Sequence, residues 1–141
     1  MEIKIDYLVI GTGIAGLSFA LQAAKSGTVA IVTKKEKMEA STNYAQGGIA
    51  SVFDLDDSFE LHIKDTLQSG DGLCNESIVR MVVQDGPDRI QELISLGVNF
   101  SHQTDSSGNL DLGMEGGHSR RRIVHAADLT GREIASMGEK P

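Results

Sequence analysis

The chain has 141 residues, of which 40% are hydrophobic, and this length and composition suit one globular domain with an ordinary core. With 20 acidic and 13 basic residues the net charge is -7, which repels phosphate backbones and argues against a nucleic-acid partner. The single cysteine, Cys74, cannot form an internal disulfide, and the apolar run at 7–10 is too short for a signal peptide or membrane span, so we expect a cytoplasmic protein without membrane insertion.

The first thirty or so residues predict a βαβ unit. Residues 3–10 alternate and then run apolar, as a short buried strand does, and Gly11 ends the run. Apolar residues at helical spacing follow over 14–25, with Gly27 placed to end that helix. The β-branched run 28–33 is typical of a second strand. We therefore predict an α/β fold with a right-handed crossover and a parallel sheet.

A GxGxxG motif joins the first predicted strand to the helix. We expect Gly11 to allow a sharp turn, Gly13 to let a diphosphate approach the backbone, and Gly16 to let the helix pack on the strand. Free amides at the positive end of the helix then bind the negative charge. The residues predicted to bind the nucleotide in this loop are Gly11, Thr12, Gly13, Ile14, Ala15 and Gly16. The alternative is a glycine turn without a ligand.

An acidic residue that usually contacts the adenosine ribose is missing from the end of the second strand. Thr33, Lys34 and Lys35 stand there instead. A lysine at this place suits the ribose 2′-phosphate of NADP, or it belongs to flavoproteins that hold the adenosine half differently. The GxGxxG motif alone leaves both dinucleotides open.

Two core-facing helices are predicted in the middle of the chain. The first covers 59–67 and has Asp57 or Ser58 as its cap. The second covers 78–94 and is interrupted at 86–87, a Gly-Pro pair.

The last third of the chain predicts short elements. We expect a hairpin tip at 105–109, a short strand at 122–125 and a helix capped near Asp128. Nothing after Phe53 has the pattern of a third parallel strand.

A second glycine-rich loop lies within the polar segment 34–48, which is too long for a simple connection. It supplies hydroxyl, amide and bare backbone groups, which suit the pyrimidine edge and the face of a flavin ring. The residues predicted to bind the cofactor here are Ser41, Thr42, Asn43, Tyr44, Ala45, Gln46, Gly47 and Gly48. The alternative is a glycine-rich surface loop.

Residues 41–50, Ser-Thr-Asn-Tyr-Ala-Gln-Gly-Gly-Ile-Ala, resemble the flavin loop of the superfamily of fumarate reductases, succinate dehydrogenases and L-aspartate oxidases. Members also carry a lysine at the end of the second strand, so the resemblance implies that Lys34 is a cofactor-binding residue. Covalent members attach FAD through a histidine in this loop, and no histidine precedes His62 here. The resemblance therefore implies non-covalent FAD on a partial, Rossmann-like FAD-binding domain.

In a cationic segment at 113–128, the carboxylate of Glu115 lies beside a flexible turn. Guanidinium and imidazole groups pair with the carboxylates of a small dianion, and Glu115 accepts from an ammonium group. The segment resembles the Glu-Gly-Gly-His-Ser stretch of L-aspartate oxidases, and the match continues to Glu133. In that family the glutamate orients the substrate, which implies this role for Glu115. For Arg120, Arg121 and Arg122 the alternative to substrate binding is a solvated basic run, and for His125 it is a hydrogen-bonded structural histidine. The role of His118 also stays open.

The resemblance also implies a reaction, the oxidation of L-aspartate to iminoaspartate. Oxygen or fumarate would reoxidise the FAD, and the product would pass to quinolinate synthase in NAD biosynthesis. Later sequence would complete the substrate site and supply the principal catalytic base. Alternatives are a soluble fumarate reductase or succinate dehydrogenase type of flavoprotein, and a truncated nucleotide-binding module without turnover.

One βαβ unit supplies only two parallel strands, whereas a doubly wound sheet needs more to bury both faces. We therefore expect residues 1–141 to be the amino-terminal portion of an FAD-binding domain, incomplete in this chain. The capping or substrate domain and the carboxy-terminal helical part would be absent, and the chain alone would not be competent for turnover.

Overall fold

The structure is a computed structural model, and it describes residues 2–34, 41–105, 107–126 and 130–135. Within these ranges the strands form two sheets. Their bounds are β1 (Tyr7–Ile10), β2 (Val29–Val32), β3 (Ile49–Ala50), β4 (Leu112–Gly113) and β5 (Ile123–Val124). The α-helices are α1 (Ile14–Ala23), α2 (Phe59–Ser69), α3 (Glu76–Ser95) and α4 (Thr130–Ala135).

The first sheet consists of β1 and β2, which run parallel with Tyr7 beside Val29 and Ile10 beside Val32. Helix α1 connects them and lies on the face where Val9 is buried. The predicted strand, helix and parallel strand are therefore confirmed, and so is the α/β class.

Gly27 follows the last turn of α1 but does not end it through a left-handed conformation, because its φ is not positive. A Cβ atom on Gly27 would lie 2.8 Å from Oδ2 of Asp6. That carboxylate accepts from the amide and the hydroxyl of Thr28, at 2.8 Å each. These hydrogen bonds, the backbone one foremost, lower the pKa of Asp6. Glycine is thus required here for the close approach of Asp6, which ties the start of β1 to the start of β2.

Helices α2 and α3 begin at side-chain caps. Ser58 accepts from the amide of Leu61 at 3.2 Å, and Asn75 accepts from the amides of Ser77 and Ile78 at 3.1 and 3.3 Å. Of the two predicted caps for α2, the structure selects Ser58, because the carboxylate of Asp57 is engaged elsewhere.

The predicted interruption of α3 at Gly86 and Pro87 is wrong, because the helix is continuous through both residues. A proline inside a helix costs about 3 kcal/mol. Val83 and Ile90 flank it on the buried face, with exposed fractions of 4% and 1%. Burying two such side chains stabilises by roughly 1.5–3 kcal/mol each, which is enough to offset the proline.

The second sheet is antiparallel, in the order β3-β5-β4, and it packs on the main core. The two sides of the predicted hairpin pair, since the amide of Gln103 donates to the carbonyl of Asn109 at 2.9 Å. Ser106, in the predicted tip, lies outside the described residues. The strand predicted at 122–125 is β5. Buried residues of the core cluster are Ile90, Val98, Phe100, Leu112, Val124, Ala126 and Ile134.

Some predictions fall outside the described residues, namely those on Lys35 and on the cap near Asp128. No helix within the described ranges is long and apolar enough to cross a membrane.

Candidate functional site

The first glycine loop, residues 11–16, has the geometry that its motif predicts. Gly11 has a φ of +108°, and its amide donates to the carbonyl of Val32 at 2.8 Å. A Cβ atom on Gly16 would clash with the carbonyl oxygen of Gly11, so glycine lets α1 approach β1. A Cβ atom on Gly13, by contrast, would meet no protein atom within 4 Å. The backbone at Gly13 therefore borders open space.

The amino end of α1 is suited to bind an anion. Its cap residue, Gly13, supplies no side chain, and its first turn holds no acidic residue. Among the described residues, Thr42 accepts from one amide of this turn, that of Ile14. Helix amino ends of this kind bind phosphate through their amides and their positive dipole. Thr12 and Thr33 are joined at 3.2 Å between their hydroxyls, and the exposed Lys34 follows at the end of β2. The first glycine loop thus has the donor set that a diphosphate requires.

The second glycine loop, residues 41–48, begins as a 3₁₀ turn over Ser41–Tyr44. Helix α4 supports it, because the amide of Gly131 donates to the carbonyl of Ala45 at 3.1 Å. A Cβ atom on Gly131 would clash with the carbonyl oxygen of Thr42. A Cβ atom on Gly48 would likewise clash with Ile123, so the loop enters β3 tightly against β5. Tyr44 and Gln46 are exposed.

The two glycine loops contact each other directly. The amide of Ile14, in the first turn of α1, donates to Oγ1 of Thr42 at 3.2 Å. The two loops are 28 residues apart in sequence at this contact. The residues predicted separately to bind a diphosphate and a flavin ring therefore form one continuous surface.

Glu115 joins the second glycine loop from the other side. Its Oε1 lies 3.5 Å from the amide nitrogen of Gly48 and 3.4 Å from the position of a Cβ atom on Gly47. The carboxylate is exposed. The structure thus brings together all three segments that the sequence marks as functional.

The Glu115 turn, residues 115–119, is anchored on α2 at two points. Gly117 has a φ of +84°, and its carbonyl accepts from Oγ of Ser69 at 3.5 Å. The amide and hydroxyl of Ser119 both donate to Oδ2 of Asp65, at 2.8 Å. Asp65 and Ser69 are one helical turn apart and so lie on the same face of α2. This face fixes the turn that carries Glu115.

A buried arginine cluster lies beneath the Glu115 turn. Arg122 is 0% exposed, and its Nε and Nη2 donate to the two oxygens of Asp57 at 2.8 Å each. Its Nη1 donates to Oδ2 of Asp65 at 2.8 Å and lies 3.3 Å from Nδ1 of His118. Every guanidinium nitrogen of Arg122 therefore has a partner. The interpretation of 120–122 as a solvated basic run is wrong for this arginine.

Burial and charge shift the pKa values within this cluster. Burial would raise the pKa of Asp65, but hydrogen bonds from Ser119 and Arg122 hold it at about 2. Burial foremost, and then the nearby Arg122 and His118, lower the pKa of His62. His62 is 5% exposed and contacts His118 edge to face with ring centroids 5.6 Å apart. Its Nδ1 has no hydrogen-bond partner among the residues that the structure describes. His62 is therefore neutral near pH 7.

Two of the other basic residues of the segment donate to backbone carbonyls, and the third lies near a carboxylate. Nε of Arg120 donates to the carbonyl of Asp56 at 3.0 Å, and Nε of Arg121 donates to the carbonyl of Leu112 at 2.8 Å. Nε2 of the half-buried His125 lies 3.6 Å from Oδ2 of Asp111. These contacts favour structural roles for all three side chains.

Sequence reasoning missed the polar residues of α2 and of the segment before it. Helix α2 was interpreted as core-facing, whereas it buries His62 and Asp65 beside Ile63. The signal available was the presence of two ionisable residues next to the apolar stripe of α2. Asp57 was considered only as a cap, although it is the main partner of Arg122.

Known proteins that are similar to this chain in sequence include L-aspartate oxidases. The L-aspartate oxidase 2-a, chloroplastic, of Nicotiana tabacum is 59% identical over 129 residues, which are 92% of this chain and 20% of that protein. The L-aspartate oxidase of Vibrio cholerae is 50% identical over 133 residues, 92% of this chain and 25% of that protein. This chain thus spans about a quarter or less of these relatives.

A solved structure of E. coli quinol fumarate reductase FrdA, in a mutated form, superimposes with a TM-score of 0.86 at 33% identity, covering 96% of this chain and 23% of that one. The model of the family described as FAD binding domain matches residues 6–140. The open backbone at Gly13 and the amino end of α1, whose first turn holds no acidic residue, fit the diphosphate of that cofactor. The chain therefore belongs to the FAD binding domain family, and its cofactor is FAD.

Proposed function

We propose that residues 1–141 are the amino-terminal part of an FAD-binding domain in a protein that oxidises L-aspartate to iminoaspartate. The observation that carries the proposal is the position of Glu115, whose carboxylate lies 3.5 Å from the backbone amide of Gly48 in the second glycine loop. A carboxylate at the edge of a flavin loop suits a substrate that carries an ammonium group.

In this proposal the two glycine loops hold FAD without a covalent bond. The amides at the start of α1 and the bare backbone at Gly13 receive the diphosphate. Lys34, exposed at the end of β2, lies where the adenosine half would bind. The second glycine loop, including Thr42 and Gly48, lines the ring. No histidine lies in or before that loop, which supports non-covalent binding.

Glu115 is proposed to orient the substrate. L-Aspartate carries two carboxylates and one ammonium group, and the carboxylate of Glu115 accepts from the latter. FAD held by the two glycine loops would supply the acceptor for the hydride that leaves the substrate α-carbon. Succinate has no ammonium group, so Glu115 would give it no favourable contact. The relatives named L-aspartate oxidase support this choice of substrate.

A spectral assay of the full-length protein tests the proposal. L-Aspartate added without oxygen should bleach the flavin absorbance, whereas succinate at equal concentration should not. We expect Glu115→Gln to keep FAD and to reduce kcat/KM for L-aspartate by about tenfold or more, since the contact to a charged group is weakened. A full-length protein that is yellow but unaffected by L-aspartate would contradict the proposal.

A second candidate is a fumarate reductase or succinate dehydrogenase type of activity, favoured by the structural likeness to E. coli FrdA. It predicts that succinate, and not L-aspartate, bleaches the flavin in the same assay. Reoxidation by oxygen and by fumarate, measured separately, would identify the electron acceptor of the protein.

We also propose that the iminoaspartate passes to quinolinate synthase, and that the reaction takes place in the cytoplasm. The single cysteine agrees with a reducing compartment. Plant relatives are named chloroplastic, so fractionation of the source cells is the direct measurement. Recovery of the protein only in an organelle fraction would contradict the cytoplasmic location.

A further inference from the structure

We infer that His118 is a substrate-binding residue whose Nε2–H donates to a carboxylate of the substrate, and that Arg122 is a positioning residue that holds the imidazole in this tautomer. The inference rests on the proposed function and deepens it, because it assigns the substrate carboxylate a ligand within this chain.

The contact between Arg122 and His118 fixes the tautomer. Nη1 of Arg122 lies 3.3 Å from Nδ1 of His118. Guanidinium nitrogens donate and do not accept, so Nδ1 is the acceptor and carries no proton. Asp57 and Asp65 hold the guanidinium on its other sides, so it cannot turn away. With Nδ1 as the acceptor, the ring proton of His118 lies on Nε2.

The second nitrogen of this ring is available to a ligand. Within the part of the chain that the structure describes, no hydrogen bond joins Nε2 of His118 to another group. The ring is half-buried and packs edge to face against His62, which limits its movement. A half-buried N–H donor with a fixed direction and no protein partner is suited to recognise an acceptor on a ligand.

The place of His118 in the fold indicates which ligand group it meets. The amide of His118 donates to the carbonyl of Glu115 at 3.3 Å, so both residues belong to one tight turn. Glu115 offers an acceptor and His118 offers a donor within this turn, beside the second glycine loop. An amino acid presents the complementary pair, an ammonium group and a carboxylate, on the same α-carbon. A donor and an acceptor on one rigid turn therefore match an α-amino acid better than a dicarboxylate without nitrogen.

Two amide substitutions separate ligand binding from a structural role. In His118→Asn the amide reaches the position of Nδ1, so its oxygen can accept from Arg122, but the donor at Nε2 is lost. In His118→Gln the amide reaches the position of Nε2, so a donor remains there, but the acceptor for Arg122 is lost. His118→Asn thus keeps the hydrogen-bond acceptor of the imidazole, and His118→Gln keeps its donor.

The experiment measures steady-state kinetics with L-aspartate and thermal unfolding for both variants of the full-length protein with FAD bound. We expect His118→Gln to keep KM within about threefold of wild type, and His118→Asn to raise KM by about tenfold or more. Thermal unfolding should show the opposite order, with His118→Gln less stable. Equal KM values for wild type and His118→Asn, or a larger KM increase in His118→Gln, would overturn the inference.

A binding titration keeps this result separate from the proposed function. A dicarboxylate such as succinate, which is not expected to be oxidised, is added while the flavin spectrum is recorded. Weaker binding to His118→Asn than to His118→Gln supports the carboxylate contact even if L-aspartate fails to reduce the wild-type flavin. If L-aspartate reduces the wild type and both variants bind succinate as tightly as wild type does, the inference about His118 fails while the proposed function stands.

Discussion

Arg122 and Asp57 form a two-point ion pair, in which Nε and Nη2 of the arginine each lie 2.8 Å from a different carboxylate oxygen. Both side chains are 0% exposed. Asp57 directly precedes the cap of α2, and Arg122 directly precedes β5, so the pair connects segments 65 residues apart in sequence. A buried ion pair of this kind holds its segments together only while both partners are present, because an unpaired buried charge is costly.

Replacing Arg122 by methionine should therefore destabilise the protein strongly. The substitution leaves the carboxylates of Asp57 and Asp65 buried without their cation, and removing one partner of a buried pair costs about 3–5 kcal/mol. Urea unfolding at pH 7, followed by circular dichroism, measures the change in the free energy of unfolding.

Arg120→Met is the matched control for this prediction. Arg120 is exposed, and its hydrogen bonds to the described residues go to the backbone carbonyls of Asp56 and Ser119. We expect a change within about 0.5 kcal/mol, as for most exposed sites. Equal losses of stability in the two variants would show that the buried ion pair is not what stabilises the fold.

The carboxylate of Asp65 should make stability depend on pH in the acid range. Its pKa is about 2 in the folded protein and 3.8 when unperturbed. Because the folded value is lower, the stabilisation is complete above pH 4 and is lost as the pH falls through 2. The difference corresponds to about 2 kcal/mol. Between pH 4 and pH 2 the free energy of unfolding should fall by this much more in wild type than in Asp65→Asn.

Asp85→Asn serves as the control for the pH series, because Asp85 is exposed on α3. Its pH dependence should match that of wild type. If Asp65→Asn also follows the wild-type curve, the hydrogen bonds from Ser119 and Arg122 do not perturb this carboxyl in solution.

The βαβ unit could be predicted because its signals are local. The strand, the glycines and the helix of residues 3–33 each depend on neighbours within a few positions, and the periodicity of apolar residues reports this directly. The proximity of the two glycine loops could be expected from the family resemblance, which implies that both hold one FAD. The contact between Glu115 and the second loop was not predicted.

The buried arginine cluster could not be predicted, because its partners are distant in sequence. A run of three arginines identifies a basic segment but not which member is buried. Asp57 and Asp65 lie 65 and 57 positions before Arg122, and nothing in the spacing selects them. The continuous helix α3 was missed for a related reason, since the packing of Val83 and Ile90 outweighs a local signal from Pro87.

Two glycines of the first loop should respond differently to alanine. A Cβ atom on Gly13 meets no protein atom within 4 Å, so Gly13→Ala should leave thermal unfolding of the FAD-free protein unchanged. The same methyl group would occupy space that the diphosphate needs, so the Kd for FAD should rise by about tenfold or more. Gly16→Ala places its methyl group against the carbonyl of Gly11 and should lower the unfolding temperature as well. Unchanged FAD affinity in Gly13→Ala would contradict the proposed position of the diphosphate.

The hydrogen bond between Thr42 and Ile14 should couple the two glycine loops in FAD binding. Valine has the shape of threonine but no hydroxyl, so Thr42→Val removes the acceptor for the amide of Ile14 while Thr42→Ser keeps it. A net hydrogen bond contributes about 0.5–1.5 kcal/mol, which corresponds to a roughly 2- to 12-fold change in affinity. Because FAD is proposed to contact both loops, losing their alignment should raise its Kd by this factor in Thr42→Val, as measured by quenching of flavin fluorescence. Thr42→Ser should stay near wild type, and weakening in Thr42→Ser without weakening in Thr42→Val would mean that the methyl group of Thr42, and not its hydroxyl, supports the loop.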